Sequence, residues 1–464
     1  SSSRFKLRGV MRYIKDVQTK YSYELVVCGG GMSGFASAIS AASKGIKTLI
    51  VERNGCLGGV ATSCMVNHLL GAKHVDSSTE SLKKNISGLF DVLADRLISK
   101  NYAIDPNKTA LYDNPHGWYS TLAEGLVVYS EGLKMEMELM CKEAGVDILY
   151  LSHICDVIKA ESSISHIIVH NKSGLFAIEG KYFVDATSDA DIAVYCGCPY
   201  IKGRETDGLM APASLMMHLE NVNTEKLRTY IRENNEHRFK KLIKVLTEKG
   251  IWNFPYDIFI CVQLTKPDTY MINTIRQVGV DGTDGLSITN AILDGRDESF
   301  RLFEIVKNHF PGFENSEILR IADNIGIRET NRIKGVYTLT VEDLIENKKF
   351  DDTIAISSYG WDLPDPSKPS FQPMEKIKRK NCYTYIPYRC LLPLGIDNLI
   401  VTGRSISVQR DALGPVRVMG PCIAMGQAAG LASYLSINSS SNYQNVDITK
   451  LKNLLVEQNC ILDL

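Results

Sequence analysis

The residues with the clearest chemistry are three glycines and one acidic residue near the start of the chain. Gly29, Gly31 and Gly34 have the spacing G-x-G-x-x-G after an apolar run, and Glu52 ends the next apolar run. Glycines at these positions permit a tight turn, a close approach to a pyrophosphate and close packing of a helix on a strand, and the acid is placed to accept hydrogen bonds from a ribose diol. The pattern therefore predicts a dinucleotide site.

A strand–turn–helix–strand unit must position these residues. The pattern predicts a strand over 25–27, a helix over 33–44 and a second strand over 48–51. The N-terminus of that helix, at Met32 and Ser33, offers unpaired N–H groups and the positive end of the helix dipole to phosphates. A glycine pair soon after Glu52, Gly58-Gly59, suits a loop that runs beside the bound molecule, where side chains would collide.

The rest of the chain alternates between recognisable elements. We predict helices over 81–99 and 132–144, then consecutive strands over 146–187 that end in Asp-Ala-Thr. The block 199–385 has no dinucleotide pattern of its own and contains a charged amphipathic helix over 224–249. A buried strand over 399–402 and a small-residue helix over 421–435 return to the character of the first unit.

Composition excludes several classes of protein. The 464 residues are 44% hydrophobic and 23% charged with a formal net charge of −1, so nothing recommends nucleic acid as a partner. No apolar window is long enough for a membrane span, and we expect no membrane partner. Twelve scattered cysteines and no apolar signal-peptide core indicate a reducing environment. We expect a cytoplasmic protein, as a monomer or homo-oligomer.

Several separated stretches carry a family resemblance. They are VVCGGGMSG…VER, CLGGVATS, FVDATSDADIA, GIRETNRIKGVYTLTVEDL, YIPYRCLLPL and NLIVTGRSISVQRDALGPVRVMGPCIAMGQAAG. Together they resemble FAD-dependent oxidoreductases of the glutathione-reductase-like flavoprotein superfamily, in the subgroup that includes heterodisulfide-reductase-type flavoprotein subunits. The resemblance extends from Tyr23 to Tyr434. It implies FAD as the cofactor and leaves the substrate open, because such families are chemically diverse.

The resemblance also implies which residues hold FAD. Glu52 would bind the adenosine ribose with Arg53 close by, and the final helix would aim its dipole at the flavin. Ser188 departs from the Ala-Thr-Gly turn of many relatives. The cofactor-binding residues it implies are Gly29, Gly31, Met32, Ser33, Gly34, Glu52, Arg53, Gly58, Gly59, Thr62, Ala186, Thr187, Gly403, Arg404, Gly420, Cys422 and Ile423.

The resemblance, together with the pattern of elements, predicts an α/β fold. A discontinuous Rossmann-like FAD-binding domain, with a parallel sheet and a β-meander, would receive an inserted α+β substrate or cap domain. The expected boundaries are 20–198 for the N-terminal part of the FAD-binding domain, 199–385 for the inserted domain, 386–436 for the C-terminal part, and 437–464 for a tail with a short helix.

Four residues are candidates for the catalytic chemistry. His68 follows the glycine-pair loop, which approaches the flavin in this architecture. A structural histidine held by hydrogen bonds near a loop would give the same sequence pattern. His218 lies in an apolar strand and points into a substrate cavity, into the core or onto an exposed face. Tyr388 and Arg389 stand at the expected seam between domains, where the arginine would bind a carboxylate or form an interdomain salt bridge.

Other redox and metal chemistry finds little support in the sequence. Cys56 and Cys64 do not have the spacing of a flavin disulfide reductase, in which four residues separate the two cysteines. Cys196-Gly-Cys198 lacks a second pair at metal-ligand spacing, so we expect no metal. The charged run GIRETNRIKG, which includes Arg328, Glu329 and Arg332, indicates an ion network between domains.

The expected reaction is two-electron hydride transfer between a small organic substrate and flavin N5. The second half-reaction would use oxygen, an electron-carrier protein or NAD(P)H, since the chain has a single dinucleotide pattern. A flavin-dependent monooxygenase, and a non-redox lyase or isomerase with electrostatic or structural FAD, remain open as alternatives. A NAD-binding regulatory protein is a third, and a yellow purified protein would exclude it.

Overall fold

The computed structural model describes residue 9 and residues 11–76, 78–109 and 124–464. The strands of the described chain are β1 (Thr19–Cys28), β2 (Thr48–Val51), β3 (His68–Leu69), β4 (Lys73–Asp76), β5 (Ser81–Lys84), β6 (Leu126–Val127), β7 (Asp147–Leu149), β8 (His153–Ala160), β9 (Ser163–Asn171), β10 (Gly174–Asp185), β11 (Tyr200–Lys202), β12 (Met217–Glu220), β13 (Cys261–Gln263), β14 (Tyr270–Ile272), β15 (Glu317–Ile321), β16 (Asn331–Ile333), β17 (Thr353–Ser357), β18 (Thr384–Pro387) and β19 (Leu399–Val401).

The α-helices of the same residues are α1 (Met32–Ala42), α2 (Leu89–Ser99), α3 (Ser130–Ala144), α4 (Asp191–Tyr195), α5 (Thr224–Asn234), α6 (Lys240–Glu248), α7 (Gly285–His309), α8 (Val341–Ile345), α9 (Met419–Ser439) and α10 (Ile448–Glu457). No helix among the described residues is both long enough and apolar enough to cross a bilayer.

A mainly parallel sheet organises the two ends of the chain. Strands β7, β2, β1, β10 and β19 lie side by side in that order and run parallel. The first half of the long strand β10 instead pairs antiparallel with β9, which pairs antiparallel with β8. This is the predicted Rossmann-like sheet with a β-meander, and the late strand β19 closes it as expected.

Helices α1 and α9 cover one face of this sheet at very short range. Every residue of α1 is buried. A β-carbon at Gly426 would lie 2.2 Å from the carbonyl oxygen of Ser33, and one at Gly430 would lie 2.2 Å from that of Ser37. The backbones of the two helices therefore touch.

The middle of the chain builds a second sheet with its own core. Strands β13, β14, β12 and β15 form an antiparallel sheet in that order. Helices α5, α6 and α7 contribute to a separate cluster of buried side chains with this sheet, rich in aromatic rings around Phe239, Phe259 and Phe310. The combination of a parallel sheet and an inserted α+β region is the fold class that the sequence predicts.

Two predicted helices are different in the structure. The pattern over 81–99 is a β-hairpin strand, β5, followed by the shorter helix α2, because the Asn85 side chain donates to the carbonyl oxygens of Gly71 and Ile356 and holds the chain extended. The predicted helix over 224–249 is two helices. Asn235 and Phe239 both adopt positive φ between them, and the Phe239 ring is fully buried.

Candidate active site

The predicted glycine turn is a backbone cradle at the end of β1. Gly29 has a φ of 109°, and a β-carbon there would lie 2.4 Å from the carbonyl oxygen of Ala186. A β-carbon at Gly34 would lie 1.9 Å from the carbonyl oxygen of Gly29. Gly31 is the N-cap of α1, and no side chain caps that helix. The first-turn N–H groups are thus left for an anion at this point.

Glu52 lies beside this cradle and is almost fully buried, at 4% exposure. One carboxylate oxygen accepts a hydrogen bond of 2.6 Å from the backbone N–H of Gly30. The other accepts bonds of 2.7 and 2.8 Å from the backbone and side-chain N–H groups of Asn54. The acid therefore fixes both the glycine turn and the loop after β2.

A cavity of about 500 Å³ begins at the cradle and continues into the inserted region. Both ends of the chain and the middle block contribute to its wall. The structure brings together on that wall most of the residues predicted to bind the cofactor and one catalytic candidate, namely Gly29, Gly31, Met32, Ser33, Glu52, Arg53, Gly58, Gly59, Ala186, Thr187, Gly403, Arg404, Cys422 and His68.

Four residues predicted at the cofactor lie behind the wall rather than on it. Gly34 packs α1 against the turn, and the hydroxyl of Thr62 donates 2.6 Å to the Leu57 carbonyl oxygen, which fixes the glycine-pair loop. The N–H of Gly420 donates to the Leu70 carbonyl oxygen, and Ile423 is fully buried in the core. These residues shape the cavity without lining it.

The structure does not bring Tyr388 and Arg389 to the cavity. The Tyr388 hydroxyl donates 2.8 Å to the carbonyl oxygen of Tyr443 in the core of the molecule. Arg389 is partly exposed and forms a two-pronged salt bridge with Asp352, at 2.9 and 3.1 Å. Both side chains thus lie away from the cavity wall, and we propose no catalytic role for them.

His218 also lies off the cavity wall, buried at 8% exposure in β12. Its Nε2 is 3.3 Å from the carbonyl oxygen of Met65. Burial lowers its pKa to about 4, opposed by the Met65 hydrogen bond and assisted by the charge of Arg320. The imidazole is therefore neutral at physiological pH and donates to a carbonyl group, which is the behaviour of a structural histidine.

We expect His218 to make the folded state sensitive to acid. Its pKa of about 4 lies below the ordinary value of 6.5, so the unfolded chain takes up a proton between these pH values that the folded chain does not. The free energy of unfolding should then fall as pH decreases from 6.5 to 4, by at most about 1.4 kcal/mol per pH unit. The free energy of unfolding is measured with urea at several pH values, and its slope against pH should be shallower for His218→Gln than for wild type. His166→Gln is the control. Equal slopes in wild type and His218→Gln would contradict this assignment.

Arg404 lines the cavity, but its guanidinium group is already paired. It donates 2.8 Å to Asp189 and 3.2 Å to the Thr330 hydroxyl, and Arg53 lies 3.9 Å from the same carboxylate. Asp191 lines the same part of the wall, and burial followed by repulsion from neighbouring acids raises its pKa to about 7. This end of the cavity is thus balanced between positive and negative groups.

Another part of the wall carries a group of residues that the sequence did not identify as a site. Arg276 follows β14, Arg328 follows β15, and Arg417 precedes α9; we call these three the arginine cluster. Asp362, Tyr359, Ser214 and Asn273 complete this part of the wall.

The GIRETNRIKG run shows why the arginine cluster was missed. Arg328 reaches the cavity, whereas Glu329 and Arg332 form a buried ion network with Arg410. Only the network was predicted, because charge alone does not show that one member of the run faces a different surface. Arg417, close before the final helix, was the other feature of the sequence that could have indicated a cluster of arginines at the cavity.

The parallel sheet, the glycine cradle, the buried acid and the long cavity together define a dinucleotide-binding α/β protein. A family model described as FAD dependent oxidoreductase matches residues 24–455, so the chain belongs to that family. It is an enzyme, an oxidoreductase, and FAD is its cofactor.

Two curated proteins are similar over short segments. Digeranylgeranylglycerophospholipid reductase 2 of Methanothermobacter thermautotrophicus is 25% identical over 164 residues, which are 34% of this chain and 37% of that protein. Dihydrolipoyl dehydrogenase of Trypanosoma brucei brucei is 45% identical over 56 residues, 11% of this chain and 12% of that protein. The matches thus span 37% of the first relative and 12% of the second.

Two solved structures resemble the whole chain more loosely. A geranylgeranyl bacteriochlorophyll reductase-like protein from Thermoplasma acidophilum has a TM-score of 0.44 at 12% identity, with 94% of this chain and 84% of that chain covered. The p-nitrophenol 4-monooxygenase of Pseudomonas putida has a TM-score of 0.49 at 10% identity, with 95% and 85% covered. At such scores neither similarity indicates a reaction.

Proposed function

We propose that this enzyme transfers two electrons, as a hydride, between a small organic substrate and FAD held in the cavity. The observation that carries the proposal is the continuity of the cavity. One wall holds the glycine cradle and Glu52, and the same space extends to the arginine cluster, two members of which belong to the inserted region. A cofactor and a substrate would therefore meet inside one site.

The residues of the cradle fit the phosphate and ribose groups of FAD. The uncapped N-terminus of α1, at Met32 and Ser33, would bind the pyrophosphate, and Glu52 would accept from the adenosine ribose with Arg53 beside it. The fit rests on the space above Gly31, where a β-carbon would have no atom nearer than 3.9 Å. When bound, FAD supplies the redox chemistry, since it accepts or donates the hydride.

The remaining cofactor residues would surround the rest of FAD. The N-terminus of α9 has no side-chain cap and no acidic residue in its first turn, and Met419 and Cys422 from that turn line the cavity. The positive end of this 21-residue helix would stabilise negative charge that develops there. We also assign contacts to Gly58, Gly59, Ala186, Thr187, Gly403 and Arg404.

His68 is our proposed proton acceptor for the substrate. It lies in β3, is 1% exposed, and lines the cavity. Cys64 and Leu70, which are close to it in sequence, line the cavity as well. His153 also lines the cavity but is exposed and follows Ser152, whose N–H donates to the Glu52 carbonyl oxygen at the cradle end. Of these two histidines, His68 is the one placed to work in a water-poor part of the site.

We also propose a domain organisation and a family subgroup for this enzyme. A discontinuous FAD-binding domain, 20–198 and 386–436, would hold the cofactor, and 199–385 would supply the substrate side. The β-meander and the motif order support a glutathione-reductase-like architecture. The electron acceptor in the second half-reaction, whether oxygen, NAD(P)H or a carrier protein, would have to reach the same cavity.

Anaerobic flavin reduction tests this function directly. The purified holoenzyme is mixed with a panel of hydroxy acids, amino acids, sugars and polyols, and the oxidised-flavin band near ~450 nm is followed. At least one compound should bleach the band. His68→Asn should keep its FAD and slow bleaching roughly 100-fold or more, while His166→Asn should behave as wild type. Turnover of a compound without oxygen, any other acceptor or bleaching would instead show a non-redox enzyme.

A further inference from the structure

The arginine cluster places three positive charges at one end of the cavity. The described residues that line this end, around Asn273 and Ser214, include one acid, Asp362. The members come from three distant parts of the chain, two from the inserted region and one from the start of α9. Such convergence on one cavity wall needs an explanation beyond surface charge.

Asp362 cannot neutralise the whole cluster, because it carries one negative charge against three positive charges. Arg417 donates to its carboxylate at 3.1 Å, the Tyr359 hydroxyl donates at 2.6 Å, and Gln372 donates to the second oxygen at 2.8 Å. Burial alone would raise the pKa of Asp362, but the charges of the cluster and the Tyr359 hydroxyl lower it to about 2. It is ionised and pairs chiefly with Arg417.

Arg276 and Arg328 have neutral hydrogen-bond partners in the described chain. Arg328 donates to the Pro212 carbonyl oxygen and, at 2.9 Å, to the Ser214 hydroxyl. Arg276 is 7% exposed, donates 2.5 Å to the Pro369 carbonyl oxygen, and has a buried Nε with no partner among the described residues. Burial, and then repulsion from the other two arginines, lowers the pKa of Arg328 to about 9. Arg276 is thus buried and Arg328 half-buried, and neither guanidinium group is hydrogen-bonded to a carboxylate in the described chain.

We propose that Arg276, Arg328 and Arg417 bind the carboxylate of the substrate, and that the substrate is therefore a small organic acid. This assignment rests on the proposed function, in which the substrate occupies the cavity that also holds FAD. The planar fork of an arginine matches the two oxygens of a carboxylate. The carboxylate would supply the acceptor that the Arg276 Nε lacks.

Asn273 narrows the chemical class of the proposed substrate further. It is 2% exposed, lines the same cavity three residues before Arg276 in the chain, and its side-chain oxygen has no hydrogen-bond donor in the described chain. A buried acceptor of this kind needs a donor. A hydroxyl or amine group on the substrate, near its carboxylate, would supply one, so hydroxy acids and amino acids fit the site better than simple alkyl acids.

Binding measurements on the holoenzyme test the assignment without turnover. The probes are malonate, the uncharged diamide malonamide, and inorganic phosphate, titrated by calorimetry and by perturbation of the flavin spectrum. Malonate should bind more tightly than malonamide. Arg328→Gln should weaken malonate binding roughly 10- to 100-fold, since a charge-assisted bond is lost. Arg301→Gln, at an exposed residue of α7 paired with Asp297, should leave it unchanged.

A second substitution covers the case in which Arg328→Gln fails to fold. Arg328→Lys keeps the charge but loses the fork, and it should weaken malonate binding less than Arg276→Gln does. Equal affinity of the wild type for malonate and malonamide would overturn the proposal. Wild-type affinity for malonate in both Arg328→Lys and Arg276→Gln would overturn it as well. Phosphate binding more tightly than malonate would overturn the carboxylate assignment.

The outcomes also separate this proposal from the proposed function. If arginine-dependent malonate binding is found and no compound bleaches the flavin, the carboxylate site stands and hydride transfer fails. If uncharged sugars or polyols bleach the flavin at rates that Arg328→Gln leaves unchanged, hydride transfer stands and the carboxylate site fails.

Discussion

Glu329→Ala should lower the free energy of unfolding by roughly 3–5 kcal/mol, the largest loss that we expect from a single substitution. Glu329 is 1% exposed. One oxygen accepts from Arg410 at 2.6 and 3.0 Å and from the Ala211 N–H at 2.6 Å, and the other lies 3.4 Å from Arg332. The alanine would leave two buried guanidinium groups without their shared counter-ion.

Urea unfolding of the FAD-saturated protein measures this loss. The matched control is Glu346→Ala, which removes an exposed carboxylate that pairs with Lys380 at the surface and should cost no more than about 1 kcal/mol. Glu329→Gln should fall between the two, because it keeps one acceptor oxygen and loses the charge. A Glu329→Ala protein as stable as the Glu346→Ala protein would show that the network is neutral in energy.

The position of Glu329 shows why a charged run can be predicted as a network but not resolved into roles. Arg328 and Glu329 are neighbours in sequence, yet Arg328 faces the cavity and Glu329 is enclosed by Arg332 and Arg410. Arg410 stands far away along the chain. Which of two adjacent charged residues reaches the site depends on long-range packing that no local pattern contains.

The glycine cradle could be predicted because its determinants are local. Strand β1, the glycine turn, α1 and β2 occupy consecutive residues, and the predicted strand over 48–51 has the observed bounds. A single glycine spacing therefore encodes both the geometry and the place of Glu52. The arginine cluster has no such local encoding, since its members come together only when the inserted region packs against the start of α9.

The predicted helix over 224–249 failed for a related reason. Its 3.6-residue periodicity continues through Phe239, but that ring packs against Tyr230 and Phe310, at centroid distances of 5.6 and 5.2 Å. Burying the ring there requires the positive φ of Phe239 and ends one helix before the next begins. Tertiary packing of one aromatic side chain thus outweighed the local pattern.

Glu52→Ala should weaken FAD binding roughly 10- to 150-fold, which corresponds to about 1.5–3 kcal/mol for hydrogen bonds to a charged acceptor. Under the proposed function, the carboxylate accepts from the adenosine ribose while it also holds the N–H of Gly30 and both N–H groups of Asn54. Glu52→Gln should bind FAD with intermediate affinity. Its side-chain amide keeps one acceptor oxygen but places an NH2 group, itself a donor, where the second oxygen accepted hydrogen bonds. The measurement is the FAD dissociation constant, with Glu179→Ala at the surface as the control.

A positioning role and a binding role for Glu52 predict different results in the FAD-free protein. If the acid only fixes Gly30 and Asn54, the substitution should lower the thermal stability of the apoprotein and of the holoenzyme alike. If it also contacts the ribose, the loss should be larger in the holoenzyme, because FAD then stabilises the variant less. An unchanged dissociation constant would remove Glu52 from the cofactor site and leave it as a support of the glycine turn. The comparison of the two forms therefore decides whether the motif encodes a contact or only a shape.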